Sequence, residues 1–400
     1  MFNVVDRKDR KISLLELSFS FFKIGLTAYG MAILQQIKDL IIGKKWLTRE
    51  QVDEGIAMVQ LYPGPIMYNL GIYCAYRIKG FWGSALASFF FLLPSYILMV
   101  FLSWLYFSFG EIAWVKPLFM VLEAMVVGIV LHILLDFGSK YVKDAISSLI
   151  AGISFLLLLF KINALWVILI AIIIQLLSVI FVKKQAQQLT PVSDSHNFIP
   201  GKTSRRLLAI VFTGLIFIAL FITGLLGHSK NCQLLFSMFK IGAVAFGSGF
   251  TIMPLLQQEA VISHHWVTMQ QFVDGIAFGQ ITPGPFLITS TFIGYKVSGI
   301  WGSAIATFGM FFPSFFYTIL ITEIYDKIKH NKYIRLSIRG VMAAFTGMLA
   351  WVVLSLARVS LTDNILFIWA VGSFILVRYF KVNILWIFLL GILIKFLLLV

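Results

Sequence analysis

Charge is what this chain of 400 residues most lacks: Asp, Glu, Lys and Arg together supply 12% of it, against 60% apolar residues. Soluble domains carry about a quarter charged residues, so a water-exposed globule is excluded. Cysteine is nearly missing. The two present, Cys74 and Cys232, are far apart and form no Cys-x-x-Cys pair, which argues against a disulfide framework and against a thiolate metal site. There is no Gly-rich phosphate loop, no pair of catalytic carboxylates and no Ser-His-Asp order, so neither an enzyme nor an ATP-driven pump is expected, and no cofactor or metal. His264 and His265 have no further ligand at metal-site spacing and read as interfacial residues beside Trp266. The weak ten-residue alternation of a membrane β-barrel is also absent.

What the chain does have is apolar length. Residues 149–182, 207–226 and 301–321 each reach the roughly 20 residues that cross a bilayer. In lipid, backbone polar groups must be satisfied within the segment, so these runs are expected to be helices and the fold an all-α integral membrane protein. The formal charge of +15 is mostly a topology signal, since Lys and Arg collect in short loops and in the tail 1–13 (Arg7, Lys8, Arg10, Lys11). That tail is expected in the cytoplasm. The bilayer is the expected partner and nucleic acid is not; oligomeric state leaves no mark on the sequence.

The chain repeats itself. Phe22-Lys23-Ile24-Gly25 returns as Phe239-Lys240-Ile241-Gly242, Gly55-Ile56-Ala57 as Gly275-Ile276-Ala277, and Pro63-Gly64-Pro65 as Pro283-Gly284-Pro285. Trp82-Gly83-Ser84-Ala85 matches Trp301-Gly302-Ser303-Ala304, and Pro94-Ser95 matches Pro313-Ser314. The copies occupy 14–182 and 232–400, separated by a polar linker at 183–206 and one additional apolar helix at 207–227. If each copy crosses the membrane an even number of times, that single helix places the second copy upside down, as an inverted-topology repeat. Loop charge agrees: Lys38, Lys44, Lys45 and Arg49 follow the first segment of copy one, whereas 257–270 contains no Lys or Arg. After the third segment the bias reverses, with Lys116 alone against Lys327, Lys329, Lys332, Arg335 and Arg339. The N-terminus and linker are then cytoplasmic and the C-terminus outside. Re-entrant hairpins at the Lys23/Pro63 and Lys240/Pro283 segments place these loops best.

Helix breaks inside apolar segments point to sites, because irregular backbone is tolerated there only under protein cover or beside a water-filled cavity. Each Pro-Gly-Pro is such a break, with Pro65 and Pro285 suited to open a new half-helix. Free N–H groups near 66–68 and 286–288 can then hold an oxyanion; the plainer alternative is a packing kink. Lys23 and Lys240 either snorkel to the interface or neutralise a dianion beside those ends. Gly30, Gly247 and Gly249 permit close backbone approach or simple helix packing. Gln60, Gln280, Asn69, Thr282, Thr289 and Ser290 are candidates to complete the coordination. Glu54 and Asp274 occupy equivalent positions and either cap a helix or carry a coupling proton. Glu123, deep in an apolar run opposite Met342 in the repeat, is a second proton-relay candidate, or a hydrogen-bonded structural residue.

The second half, through "FKIGAVAFGSGFTIMPLLQQ", "QFVDGIAFGQITPGP" and "GYKVSGIWGSAIATFGMFFPS", resembles the chromate ion transporter family in its long-chain, two-domain form. The first half follows through "QVDEGIAMVQLYPGP" and "GFWGSALASFFFLLPS", departing where Tyr29-Gly30-Met31-Ala32 replaces the family's usual Phe-Gly-Gly-Pro turn. The resemblance implies an antiparallel pair of domains with about thirteen membrane segments. It further implies export of chromate, a tetrahedral dianion, driven by a gradient. A sulfate-like oxyanion, a passive anion channel and a non-transporting scaffold are the competing functions.

Overall fold

The computed structural model describes residues 12–29, 32–109, 116–181, 203–247, 249–329 and 331–397. Most of the tail 1–13, Gly30 and residues 183–202 of the linker lie outside the described residues. The first half runs α1 (Leu14–Thr27), α2 (Ala32–Gly43), α3 (Arg49–Met58), β1 (Gly64–Pro65), α4 (Ile66–Phe109), α5 (Lys116–Tyr141), α6 (Ala145–Leu159) and α7 (Ala164–Phe181). After α8 (Thr203–Leu226) come α9 (Lys230–Val244), β2 (Phe246–Gly247), α10 (Met253–Leu256), α11 (Met269–Ile281), α12 (Thr289–Ile328), α13 (Lys332–Ser360), α14 (Asn364–Arg378) and α15 (Ile384–Leu397).

Five of these, α4, α5, α8, α12 and α13, contain stretches long and apolar enough to cross a membrane. The protein is an all-α, multi-pass membrane protein. By contrast α1, α2, α3 and α11 have 14, 12, 10 and 13 residues, short of the roughly 20 a crossing requires.

Local chemistry explains where the helices start and bend, and it recurs in both halves. Thr48 caps α3 in a capping box with Gln51, and Thr268 caps α11 in the same box with Gln271. Asp144 heads α6 as Asp363 heads α14. The long helices α4 and α12 each break once, at Gly80 (φ +63°) and Gly299 (φ +59°). Even the non-glycine residues with positive φ fall in pairs, Lys45 with His265 and Lys161 with Lys381.

Lipid tails are as apolar as leucine, so close packing must hold such helices together, and small residues permit it. A Cβ on Gly25 would lie 2.2 Å from the Phe91 carbonyl oxygen, bringing α1 onto α4; Gly242 and the Met310 carbonyl do the same for α9 and α12, at 2.1 Å. Between the halves the arrangement crosses over. Helix α5 packs against α14 and α15, while α13 packs against α6 and α7. The contact points correspond: Gly128 faces the Ala370 carbonyl and Gly347 faces the Ala151 carbonyl. Each half thus lends its last two helices to the other, with α4 against α12 between them.

Candidate functional site

The two halves meet where their helices are interrupted. Helix α1 stops before Ala28 and α9 before Ala245, both in extended conformation. Opposite these ends stand the Pro-Gly-Pro segments. Gly64 has φ +129° and Gly284 φ +99°, values that glycine adopts at no steric cost. The Gly64 N–H donates to the Ala245 carbonyl, and the Gly284 N–H donates to the Ala28 carbonyl at 2.9 Å. Strand β1 runs parallel to β2, pairing Gly64 with Phe246 and Pro65 with Gly247, and Tyr29 bridges Gly284. Each half's Pro-Gly-Pro is therefore tied to the other half's broken helix end, twice over, with roles exchanged.

A proline has no N–H to give, so the central glycine is the residue of each tripeptide able to donate. Side chains complete the crossing. The Ser95 hydroxyl donates to the Pro283 carbonyl at 2.6 Å. Its repeat counterpart Ser314 lies beside Gly64, where its Oγ is buried with no partner among the described residues. Asn69 is fully buried, its amide donating to the Pro63 carbonyl at 3.4 Å while Oδ1 has no donor among the described residues. Thr282 Oγ1 and Gln280 Nε2 are likewise buried and unpartnered among the described residues.

Several expected donors have other work. The glycine amides close the crossing, and in the 3₁₀ turn Phe286–Ile288 the Ile288 N–H returns to the Pro285 carbonyl at 3.0 Å. Pro65 and Pro285 stand just ahead of the first helical residue and not at it, because their carbonyl sides belong to the extended segment. Thr289 and Ser290 donate to the Phe286 and Leu287 carbonyls, each at 2.9 Å. Gln60 is exposed. Gly247 and Gly249 adopt positive φ, +85° and +88°, flanking the α9 break.

The lysines are divided. Lys23 is exposed on α1. Lys240 is joined to Glu259, with Nζ 3.0 Å from Oε2, while the Ser237 hydroxyl donates to the same carboxylate at 2.6 Å. His264 stacks on Trp266 with centroids 4.4 Å apart, as Lys44 lies over Trp46 at 4.8 Å in the first half. Burial lowers the His264 pKa below the usual histidine range, against an upward pull from Glu259. The capping alternative for Glu54 and Asp274 fails, because Thr48 and Thr268 cap those helices and the carboxylates lie further along them. Asp274, 2% exposed, accepts from the Tyr106 hydroxyl at 2.6 Å. Glu123, also 2% exposed, accepts from the Gln270 amide at 2.6 Å.

The family model described as chromate transporter matches the chain twice, over residues 15–176 and 232–396. The chain belongs to the chromate transporter family. The chain is 31% identical to a probable chromate transport protein of Synechococcus elongatus, over 88% of this chain and 86% of that relative. It is 30% identical to a chromate transport protein of Cupriavidus metallidurans, over 88% and 84% of the two lengths. An uncharacterized transporter of Methanocaldococcus jannaschii is 29% identical over 97% of this chain and 95% of that relative. No solved structure matches the chain.

Both family matches include a Pro-Gly-Pro and the Pro-Ser that meets its counterpart in the other half. Ser95 and Ser314 were legible in the sequence only as a repeated Pro-Ser dipeptide, and Glu259 only as an acid matched by Asp39 in the first half, which in the structure bonds Gln35 at 2.8 Å on an exposed face. The two serines separate structure from function. Ser95→Ala leaves the buried Pro283 carbonyl without its donor and should lower stability by about 1–3 kcal/mol, seen as a reduced unfolding midpoint in detergent. Ser314→Ala removes a hydroxyl that has no partner among the described residues, and its midpoint should equal that of the unmodified protein. Equal losses in both variants would contradict the assignment.

Proposed function

We propose that this protein is a secondary active transporter that exports a tetrahedral oxyanion, chromate, across the plasma membrane by alternating access. The observation that carries the reading is the crossing of the two Pro-Gly-Pro segments, where buried polar groups from both halves converge. Secondary transporters put their sites at such discontinuous helices, between repeats. The relatives named for chromate supply the substrate. A sulfate-like oxyanion has the same shape and charge and remains the nearest competitor for the site.

In this reading the copies at 14–182 and 232–400 are inverted about the connecting helix 207–227, with the N-terminus and the linker 183–206 in the cytoplasm and the C-terminus outside. Support comes from the reciprocal contacts and from the reversed loop charges. The shortness of α1, α2, α3 and α11 favours re-entrant hairpins, each turning at a break. Pro63, Gly64, Pro65, Pro283, Gly284 and Pro285 form the frame. Asn69, Thr282, Gln280 and Ser314 offer hydrogen bonds to the anion, and Gly247, Gly249 and Thr289 shape the backbone around it. Lys240, held by Glu259, contributes only when that pair opens; Lys23 and Gln60, both exposed, lie toward the entrance.

A groove of about 560 Å³ between α4 and α12 is not the anion site in this reading. Its walls are Phe89, Phe308, Phe311 and their neighbours, and its Thr307 hydroxyl is bonded to Thr291 and Ser303. No Lys or Arg is among its lining residues, so a dianion would find no cation there.

The test is chromate uptake into everted membrane vesicles, where export appears as accumulation. Uptake should saturate, fall with an uncoupler, and fall to background in Pro285→Ala. Sulfate in excess should compete if the site reads shape and charge alone. Flux that neither saturates nor responds to the uncoupler would establish a passive channel instead.

A further inference from the structure

We infer that Glu123 and Asp274 form a single proton-binding site that joins the two halves of the protein. The inference rests on the transporter reading above and supplies its coupling ion. The two carboxyl groups are brought side by side, Glu123 on α5 of the first half and Asp274 on α11 of the second: the Gln270 amide that donates to Glu123 stands one helical turn before Asp274. Both are 2% exposed. Their hydrogen-bond partners are neutral, Tyr106 on α4 donating to Asp274 and Gln270 on α11 to Glu123, at 2.6 Å each; the buried Ser360 hydroxyl on α13 has no partner among the described residues.

One atom needs explaining. Asp274 Oδ1 is buried, and among the described residues no N–H or hydroxyl donates to it. A buried carboxylate oxygen without a donor is costly, and a second carboxylate facing it would add repulsion. A proton held between the two removes both penalties at once, as in the paired aspartates that share one proton in acid proteases. No cation does this work: Lys116, at the head of α5, exerts its charge on Glu123 from an exposed position, and among the described residues neither carboxylate forms an ion pair. Lys296 on α12 is turned onto the Phe107 ring at 4.9 Å.

The surroundings suit a proton. Tyr106 is packed among Phe107, Phe119, Phe278 and Phe292, with ring centroids 5.0 to 5.8 Å away, so water is excluded on that side. On the other side Gln270 is exposed and reaches Glu123, giving a path from the surface. Because Tyr106 and Glu123 belong to one half and Asp274, Gln270 and Ser360 to the other, the proton bonds the halves together. Its loss leaves two negative charges in contact and drives them apart. The second half has Met342 where the first has Glu123, so the device exists once per molecule.

Infrared spectroscopy of the purified full chain in lipid tests this without chromate. At neutral pH a carbonyl stretch from a protonated carboxylic acid is expected, and it should vanish in Glu123→Gln and in Asp274→Asn. In Tyr106→Phe, which removes a donor and little volume, the band should remain and move in frequency. Proton-gradient-driven chromate accumulation in proteoliposomes should be lost in Glu123→Gln. A spectrum without the band, or a band that survives both carboxyl substitutions, overturns the shared proton. Undiminished proton-driven accumulation in Glu123→Gln overturns its role in coupling. If the band behaves as expected while the protein carries no chromate, the proton site stands and the substrate reading falls.

Discussion

Gly64→Ala and Gly284→Ala are each expected to reduce chromate flux in vesicles to background. Two costs combine at these positions. An alanine at φ +129° or +99° is strained, and its Cβ would fall 2.5 Å from Ser314 Oγ in one case and 2.2 Å from Ser95 Oγ in the other. Strain and overpacking are on the order of 1–3 kcal/mol each. That load acts on the glycine N–H bond that ties each tripeptide's backbone to the opposite half, so the joint between halves is expected to give way before the helices do. Gly80→Ala is the control. It has a positive φ of +63°, but a Cβ there meets nothing within 4 Å, so it should keep its flux and lose only stability. Equal flux in the Gly64 and Gly80 variants would show that the crossing plays no part in transport.

The second large effect is on folding. Gly347→Leu should leave little monodisperse protein after extraction in detergent, and Gly128→Leu should behave the same way. In both, the new Cβ would lie about 2 Å from a backbone carbonyl oxygen of the helix lent by the other half, Ala151 or Ala370. A backbone atom cannot rotate aside, so the helices must separate along their length and forfeit the packing that holds membrane helices together. Gly152→Ala on α6 and Gly372→Ala on α14 make the contrast, since a Cβ at either touches nothing within 4 Å. There the gain in helix propensity should raise stability by up to about 1 kcal/mol. Size-exclusion profiles and unfolding midpoints read all four variants; if Gly347→Leu and Gly152→Ala give the same profile, exchange of helices between halves is not what holds the fold.

Much of this was written in the chain. The apolar runs around α4, α5, α8, α12 and α13 exceed what a soluble helix needs, and the duplicated Pro-Gly-Pro marked the place where both halves break. The role of the lysines was not legible. Lys23 and Lys240 share a motif and a position, yet one is exposed and the other is held by Glu259, because an acid seven residues before Trp266 folds back on α9 while its counterpart Asp39 turns outward to Gln35. Glu54 and Asp274 looked like helix caps from their neighbourhood, but the threonine six residues before each takes that task. Glu123 and Asp274 are 151 residues apart in the chain, and nothing in either segment indicates that they come together.

Composition and period alone fixed the solvent, the helices and the duplication, because a bilayer leaves a backbone few ways to satisfy itself and a repeat is visible as repetition. Which half each broken end would bind, which helices would change sides, and which buried acid would face another depended on contacts between residues far apart in sequence. Such contacts are selected by close packing at a few glycines and by the need to pair every buried polar atom, and both are properties of three-dimensional neighbours and not of chain order.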